Sequence, residues 1–258
     1  MDREPVRRRA ISYPLRDPIV PLLLLIATTT GLVDAVSVLG LSLVFCANMT
    51  GNIVFLGFAL AEIPGFNVAP HITALAGFIV GATVSGRIGK YYVTRSRRSW
   101  LFVATCFEGG LLWPAALLVI GYRDTHQPAG SRLLVTIGFV AIAMGFRNAT
   151  IRQLKVNDLT TTVLTTTLTG LFADSHFAGG ASPNWQRRSL SVAAIFGGAL
   201  IGALIVKSTG LGGPLVVAWV LVTLGTVLAA LHPEWTNESM TGSNETDPAS
   251  DAAGRDKG

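Results

Sequence analysis

Two acidic side chains stand deep inside apolar stretches of this sequence. Asp34 lies within the stretch from 19 to 45, and Glu108 lies about nine residues into the stretch from 99 to 120. An ionised carboxylate at the centre of a membrane helix costs at least about 2.5 kcal/mol unless it is paired, hydrated or protonated. A proton-coupled carrier needs a carboxylate that gains and loses its proton there, so both residues are candidates for that chemistry.

Each of these carboxylates also has a structural interpretation. Asp34 follows three threonines and Gly31, and it could cap a helix break, because the apolar stretch is longer than a straight crossing needs. Glu108 could instead bond a neighbouring helix and fix packing. Arg147 would then be a partner, unless it extends from the cytoplasmic end of its own helix towards the headgroups.

Polar residues at the starts of two short apolar segments form a second group of candidates. Their side-chain oxygens and amides could cap a helix or meet a solute at a helix start. Seven threonines fall within 160–169, too many for a lipid-facing surface, which predicts a buried or water-lining helix. The residues of this group are Asn48, Thr50, Asn52, Asp158, Thr160 and Thr162.

Composition places these residues in a membrane rather than in a water-soluble core. Half of the 258 residues are hydrophobic and only 14% are charged, which exceeds what a soluble domain of this size can bury. The net charge of +5 comes from short basic runs between apolar stretches, so it indicates topology and not nucleic-acid binding. Cys46 and Cys106 form no metal-ligand cluster with the histidines, and we expect both to be buried structural thiols.

Eight apolar segments are separated by polar or basic stretches, and two of them are too short for a full crossing. The second and sixth hold about 11 to 13 residues, a length typical of re-entrant or half-spanning helices. The segments cover 19–45, 51–61, 70–86, 99–120, 133–150, 160–172, 190–206 and 212–231.

Basic residues decide between six and eight crossings. If the short segments do not cross, 17 of the 20 Lys and Arg residues share the side of the N-terminus, and only Arg123, Arg132 and Lys207 lie opposite. If all eight segments cross, the division is 11 to 9, with the loop RIGKYYVTRSRR outside. Because cytoplasmic loops carry the excess of positive charge, the sequence predicts six crossings with both termini cytoplasmic.

We therefore expect an all-α membrane protein with one transmembrane domain over 19–232. Its two halves would cover about 19–121 and 131–231. The basic stretch 1–18 and the acidic stretch 233–258 are polar tails that we expect to be disordered.

The two halves resemble each other at their polar positions. GLVDAVSVLG (31–40) resembles GFRNATIRQL (145–154), which aligns Gly31 with Gly145 and Asp34 with Asn148. ANMTGNIV (47–54) resembles NDLTTTVL (157–164), and each block leads into a short segment. With three crossings in each half, the second half would be inverted, an architecture that recurs in channels and secondary transporters. Asn148 thereby joins the candidate residues.

The blocks GLVDAVSVLGLSLVFCANMTGNIVFLGFALA (31–61) and AMGFRNATIRQLKVNDLTTTVLTTTLTGLFAD (143–174) resemble the YoaK-like family of bacterial multi-pass inner-membrane proteins. The resemblance covers nearly the whole chain between the tails. It implies a membrane fold of about six helices, and it carries no established substrate, reaction or catalytic residue.

The leading functional hypothesis is a small-solute transporter of the inner membrane, coupled to protons or ions through Asp34 or Glu108. No Walker loop, dinucleotide-binding glycine pattern, H-E-x-x-H or G-x-S-x-G motif is present, so we expect neither an enzyme nor a cofactor or metal. The alternatives are a passive channel, an intramembrane lipid or quinone enzyme using such groups as Asp174 and His176, and a membrane complex partner. The expected partners are the bilayer and a small solute, and homo-oligomerisation is compatible with the many small residues.

Overall fold

The structure is a computed structural model that describes residues 19–92, 97–120, 122, 130–153, 164–182 and 184–231. Within these ranges the chain forms helices and turns and no strand. Both predicted tails lie outside the described residues, and so do Asp158, Thr160 and Thr162, which belong to the stretch 154–163. The helices are α1 (Ile19–Gly40), α2 (Met49–Leu60), α3 (Val68–Tyr92), α4 (Arg97–Leu118), α5 (Ser131–Gln153), α6 (Leu164–Ala173), α7 (Trp185–Thr209) and α8 (Gly212–Leu231), with a short 3₁₀ helix at His176–Ala178.

Helix lengths match a multi-pass membrane protein. Helices α1, α3, α4, α5 and α7 are long and apolar enough to cross a bilayer, and α8 adds an apolar helix of 20 residues. The two short helices, α2 and α6, have 12 and 10 residues, so they extend only about 15 to 18 Å, roughly half of a hydrocarbon core. The predicted all-α membrane class is therefore confirmed.

The break in the first apolar stretch comes after Asp34, not before it. Helix α1 continues through the threonines and Gly31 to Gly40, and the irregular segment 41–48 follows. Ser42 and Leu43 take left-handed φ values of 62° and 58° in this turn. Asp34 therefore lies within a continuous helix, and the interpretation that it caps a helix break at Gly31 is wrong.

Two buried clusters fix the directions of the helices. In one cluster the starts of α1 and α4 pack against the ends of α3 and α5. In the other cluster the ends of α1 and α4 pack against the starts of α5 and α8. At that second end, the Leu211 amide donates to the Tyr122 carbonyl over 3.3 Å. Helix α7 runs parallel to α1, because Gly198 contacts Thr28 and Gly202 contacts Ala35. Thus α1, α4 and α7 point one way, and α3, α5 and α8 point the other.

Small residues let the helices pack backbone against backbone, and they do so in matching pairs. A methyl group on Gly31 of α1 would overlap the Ile195 carbonyl of α7, and one on Gly145 of α5 would overlap the Phe78 carbonyl of α3. The reciprocal contacts match as well, since Gly198 of α7 and Gly81 of α3 lie against carbonyls of α1 and α5. Gly31 and Gly145, aligned by sequence, therefore hold equivalent positions in the α1/α7 and α5/α3 pairs.

Basic side chains of the described residues are concentrated at one end of the bundle. Arg132 and Lys207 lie at the opposite end, at the start of α5 and the end of α7. The crowded end, which holds the start of α1 and the end of α3, carries Arg87, Lys90, Arg98, Arg152, Arg187 and Arg188.

The cysteines do not share one environment. Cys46 is buried in the turn between α1 and α2, as predicted, whereas Cys106 is exposed on α4. The prediction of two buried thiols is wrong for Cys106, because an apolar helix in a membrane can present its apolar side chains outwards.

Candidate functional site

A buried ion pair lies at the centre of the bundle. Arg147 of α5 donates from Nε to Oε2 of Glu108 over 3.0 Å and from Nη2 to Oε1 of the same carboxylate on α4. Both side chains are almost fully buried, at 4% and 6% exposure. Each charge thus has its counter-charge in a bidentate geometry, the arrangement that makes a buried Arg and Glu tolerable away from water.

Threonines of α1 complete the environment of Arg147. Its Nη1 donates to Thr29 Oγ1 over 3.1 Å and lies 3.4 Å from Thr30 Oγ1. Both hydroxyls in turn donate to the Ile26 carbonyl, over 2.9 Å each. The ion pair therefore ties α1, α4 and α5 together, and Arg147 does not extend to the headgroups.

Asp34 lies at the junction of α1, α5 and the turn that precedes α2. The backbone amide of Ala47 lies against its carboxylate, and the Arg147 charge is close enough to act on it. Asn148, the residue aligned with Asp34 in the second half, reaches the same residue from α5, with Nδ2 3.4 Å from the Ala47 carbonyl. Asp34 Oδ1 is buried and has no hydrogen-bond partner among the described residues.

Asn52 holds the turn before α2 in place. Its Oδ1 accepts from the Phe45 amide over 2.9 Å, and its Nδ2 donates to the Phe45 carbonyl. The side chain is fully buried, so its donors and acceptor serve the turn rather than a solute. Asn48 and Thr50 are exposed at the start of α2, and Asn48 makes no capping hydrogen bond with its side chain.

The second short helix is held by a different set of contacts. Arg188 of α7 donates to the Gly170 carbonyl over 2.6 Å and to Asp174 Oδ2 over 2.8 Å. In the described part of the threonine run, Thr167 is buried, but Thr165, Thr166 and Thr169 are exposed. The described threonines are therefore only partly buried, because α6 packs on α7 along one side, and a water-lining role for the exposed ones stays a prediction.

Comparison with known proteins bears on this arrangement. The family model described as "Protein of unknown function (DUF1275)" matches residues 22–228, which is most of the chain. The chain belongs to the DUF1275 family. A relative described as "UPF0700 transmembrane protein YoaK", from Bacillus subtilis (strain 168), is 36% identical over 154 residues. That match covers 59% of this chain and 65% of the relative. No solved structure matches the chain.

These matches confirm the YoaK-like resemblance and the transmembrane class of this DUF1275 protein. The structure places Asp34 and Asn148 beside Ala47, whereas Glu108 is bound by Arg147, the neighbour of Asn148 on α5. Asn48, Thr50 and Asn52 lie at the start of α2 or within its first turn. No group of three or more His, Cys, Asp or Glu side chains among the described residues could hold a metal ion.

Sequence reasoning missed two members of this site in the DUF1275 protein. The sequence favours a helix break after Thr29 and Thr30, whereas in the structure both hydroxyls lie beside the Arg147 guanidinium. The run Thr28-Thr29-Thr30 in an apolar stretch was the available signal, because buried hydroxyls in a membrane helix need partners. His71 of α3 was also missed; it is buried against Phe55, and neither ring nitrogen has a partner in the described part of the chain.

Proposed function

We propose that this DUF1275 protein is a small-solute transporter of the bacterial inner membrane, coupled to protons or another cation through Asp34. The observation that carries the proposal is the buried Oδ1 of Asp34, which has no partner among the described residues. A carboxylate in the middle of a membrane helix is costly, so one that keeps an oxygen free is suited to receive a proton or a cation.

Glu108 is the weaker candidate for coupling. Arg147 occupies both of its carboxylate oxygens, and the two threonines of α1 lie at the Nη1 end of the same guanidinium. Protonating Glu108 would leave Arg147 buried without its counter-charge, a state that costs several kcal/mol. We therefore assign the pair a structural role, in which it positions Arg147 near Asp34.

The proposed architecture has six crossings arranged as a 3+3 inverted repeat, with α2 and α6 as half-spanning helices. The opposed directions of α1 and α5, α3 and α7, and α4 and α8 support it, as do the matching contacts of Gly31 and Gly145. Inverted repeats with interrupted helices bind solutes at the repeat interface near the midplane. Asp34 and Asn148 both lie beside Ala47, between the two halves.

The proposed orientation places the basic end in the cytoplasm. Six basic side chains of the described residues lie at that end and two at the other, the asymmetry expected of cytoplasmic loops. With α1 starting there and α8 ending there, both termini are cytoplasmic in this proposal.

Proton-coupled uptake tests the function. Purified full-length protein is reconstituted into liposomes that contain a trapped pH-sensitive dye, and inward gradients of amino acids, organic acids, sugars and nucleobases are applied in turn. We expect one class to move protons with it in the wild type. We expect Asp34→Asn to lose that proton movement, because the amide cannot take up and release a proton.

Exchange of the same solute at equal pH separates coupling from folding. Asp34→Asn should retain exchange of labelled solute in the absence of a gradient, and Ser37→Ala, one helical turn away, should retain both activities. Uptake in Asp34→Asn with unchanged pH dependence would instead indicate a passive pore. Failure of every solute class to move in the wild type would contradict the proposal.

A further inference from the structure

A second feature of the bundle lies on its outer surface, between α4 and α8. A cleft of about 350 Å³ is open to the surroundings there, and its lining is almost entirely apolar. Trp113 and Trp219 close its deep end with ring centroids 5.3 Å apart. Thr105 and Thr226 line it too, but their hydroxyls bond to each other over 2.8 Å. That bond satisfies two of the polar atoms along the cleft.

A second cleft continues the first towards the basic end of the bundle. The two clefts share Phe102 and Val227, so they adjoin along the same pair of helices. The second cleft is lined by Arg98 and Ser99 at the start of α4 and by Leu231 at the end of α8. The groove is thus apolar along its length and cationic at one end.

The dimensions of the groove correspond to one leaflet. Arg98 and Gly110, which lines the deep cleft, are separated by about 18 Å along α4. The hydrocarbon of one leaflet is about 15 Å thick. An acyl chain whose headgroup lies at Arg98 would therefore end near the two tryptophans.

We propose that this groove is a binding site for an anionic phospholipid of the leaflet at the basic end. One acyl chain occupies the α4/α8 cleft, and the phosphate contacts the Arg98 guanidinium and the Ser99 hydroxyl. Arg98 is exposed, so its charge is available to a headgroup, and basic residues at a membrane surface attract anionic lipids. The site is separate from the Asp34 centre and does not require transport.

Gly110 offers a position from which a larger side chain can occupy the groove without a clash. A Cβ on Gly110 would meet no atom within 4 Å, so Gly110→Leu should fold while its side chain occupies the cleft. Gly197 on α7 is equally open and lies outside the groove, which makes Gly197→Leu the matched control. Cys106→Phe fills the same cleft from an exposed position and serves if Gly110→Leu is unstable.

Native mass spectrometry of the full-length protein tests the proposal. The protein is equilibrated in detergent with equal amounts of phosphatidylglycerol and phosphatidylcholine that carry the same acyl chains. We expect the wild type and Gly197→Leu to retain phosphatidylglycerol, and Gly110→Leu and Cys106→Phe to lose it. Arg98→Gln should lower the preference for phosphatidylglycerol about fivefold, as expected for one basic residue. Arg87→Gln, also exposed at the basic end, should leave the preference unchanged.

Three outcomes would overturn the site. Equal phosphatidylglycerol occupancy in Gly110→Leu, Cys106→Phe and the wild type would place the bound lipid elsewhere. An unchanged preference in Arg98→Gln would remove the headgroup contact. Conversion of a wild-type dimer to a monomer by Gly110→Leu would show that a second copy of the chain covers the groove.

Discussion

Arg147 holds Glu108 through both carboxylate oxygens in the middle of the helix bundle, with Thr29 bonded to its remaining terminal nitrogen. The contact joins α4 to α5 and, through the threonine, to α1. Because neither charge can reach water from a site this buried, the two groups are stable only together. In the proposed function Glu108 is therefore a structural partner, and Asp34 is the carboxylate to which we assign coupling.

Removal of one partner of this pair should destabilise the protein strongly. We expect Glu108→Leu to lower the free energy of unfolding by about 3 to 5 kcal/mol, because it leaves the Arg147 charge buried and unpaired. The double variant Glu108→Leu with Arg147→Met should recover most of that loss, since the buried charges are replaced by apolar groups. Thermal unfolding in detergent measures both, with the exposed Glu62→Gln as control. Additive losses in the double variant would contradict the assignment.

Asn52 should control access to Cys46. Asn52→Ala removes both hydrogen bonds to Phe45 and leaves the backbone groups of that turn unsatisfied, which costs about 1 to 3 kcal/mol locally. We therefore expect the Cys46 thiol, buried in the wild type, to react faster with a small membrane-permeant maleimide. The measurement uses a Cys106→Ala background, because Cys106 is exposed. Asn48→Ala is the matched control. An equal reaction rate of Cys46 in the two variants would contradict the role of Asn52 in holding the turn.

Gly31 and Gly145 should be equally intolerant of a methyl group. Each lies against a backbone carbonyl of the neighbouring helix, so Gly31→Ala and Gly145→Ala should each cost about 1 to 3 kcal/mol of stability. Gly86 is also helical but faces open space, and Gly86→Ala should be neutral or slightly stabilising. Thermal unfolding in detergent compares the three. A large effect at only one of the aligned glycines would argue against equivalent packing in the two halves.

Sequence was sufficient for the features that depend on local composition. Apolar length predicted the long helices and the two short ones, and the depth of Asp34 and Glu108 followed from their positions within apolar stretches. The alignment of Gly31 with Gly145 paired residues whose packing contacts the structure shows to be equivalent. The inverted repeat and the number of crossings stay predictions.

What sequence could not provide was the direction in which side chains point. Cys106 and Cys46 both occur in apolar stretches, but only the packed bundle determines which one faces outwards. Asn52 resembled a solute ligand at a helix start, but in the structure it bonds the backbone of the turn before α2. Sequence did not indicate that turn, because its left-handed residues are Ser42 and Leu43 and not glycines. Arg147 was a candidate partner of Glu108, but its threonine contacts depend on where the folded bundle places α1.

Sidedness of the helix ends is the most direct test of the account, because the solute site depends on two halves of opposite orientation. Single cysteines are placed at Asn67, Ser131 and Ser208 and at Lys90, Arg152 and Gln186, all exposed, in a version with Cys46→Ala and Cys106→Ala. An impermeant thiol reagent is then applied to intact cells and to inverted vesicles. The account predicts labelling of 67, 131 and 208 from outside the cell, and of 90, 152 and 186 only from the cytoplasmic side. Labelling of 67 from the cytoplasm and of 90 from outside, while 208 still labels from outside, would mean that α2 crosses the membrane, and it would contradict the inverted repeat.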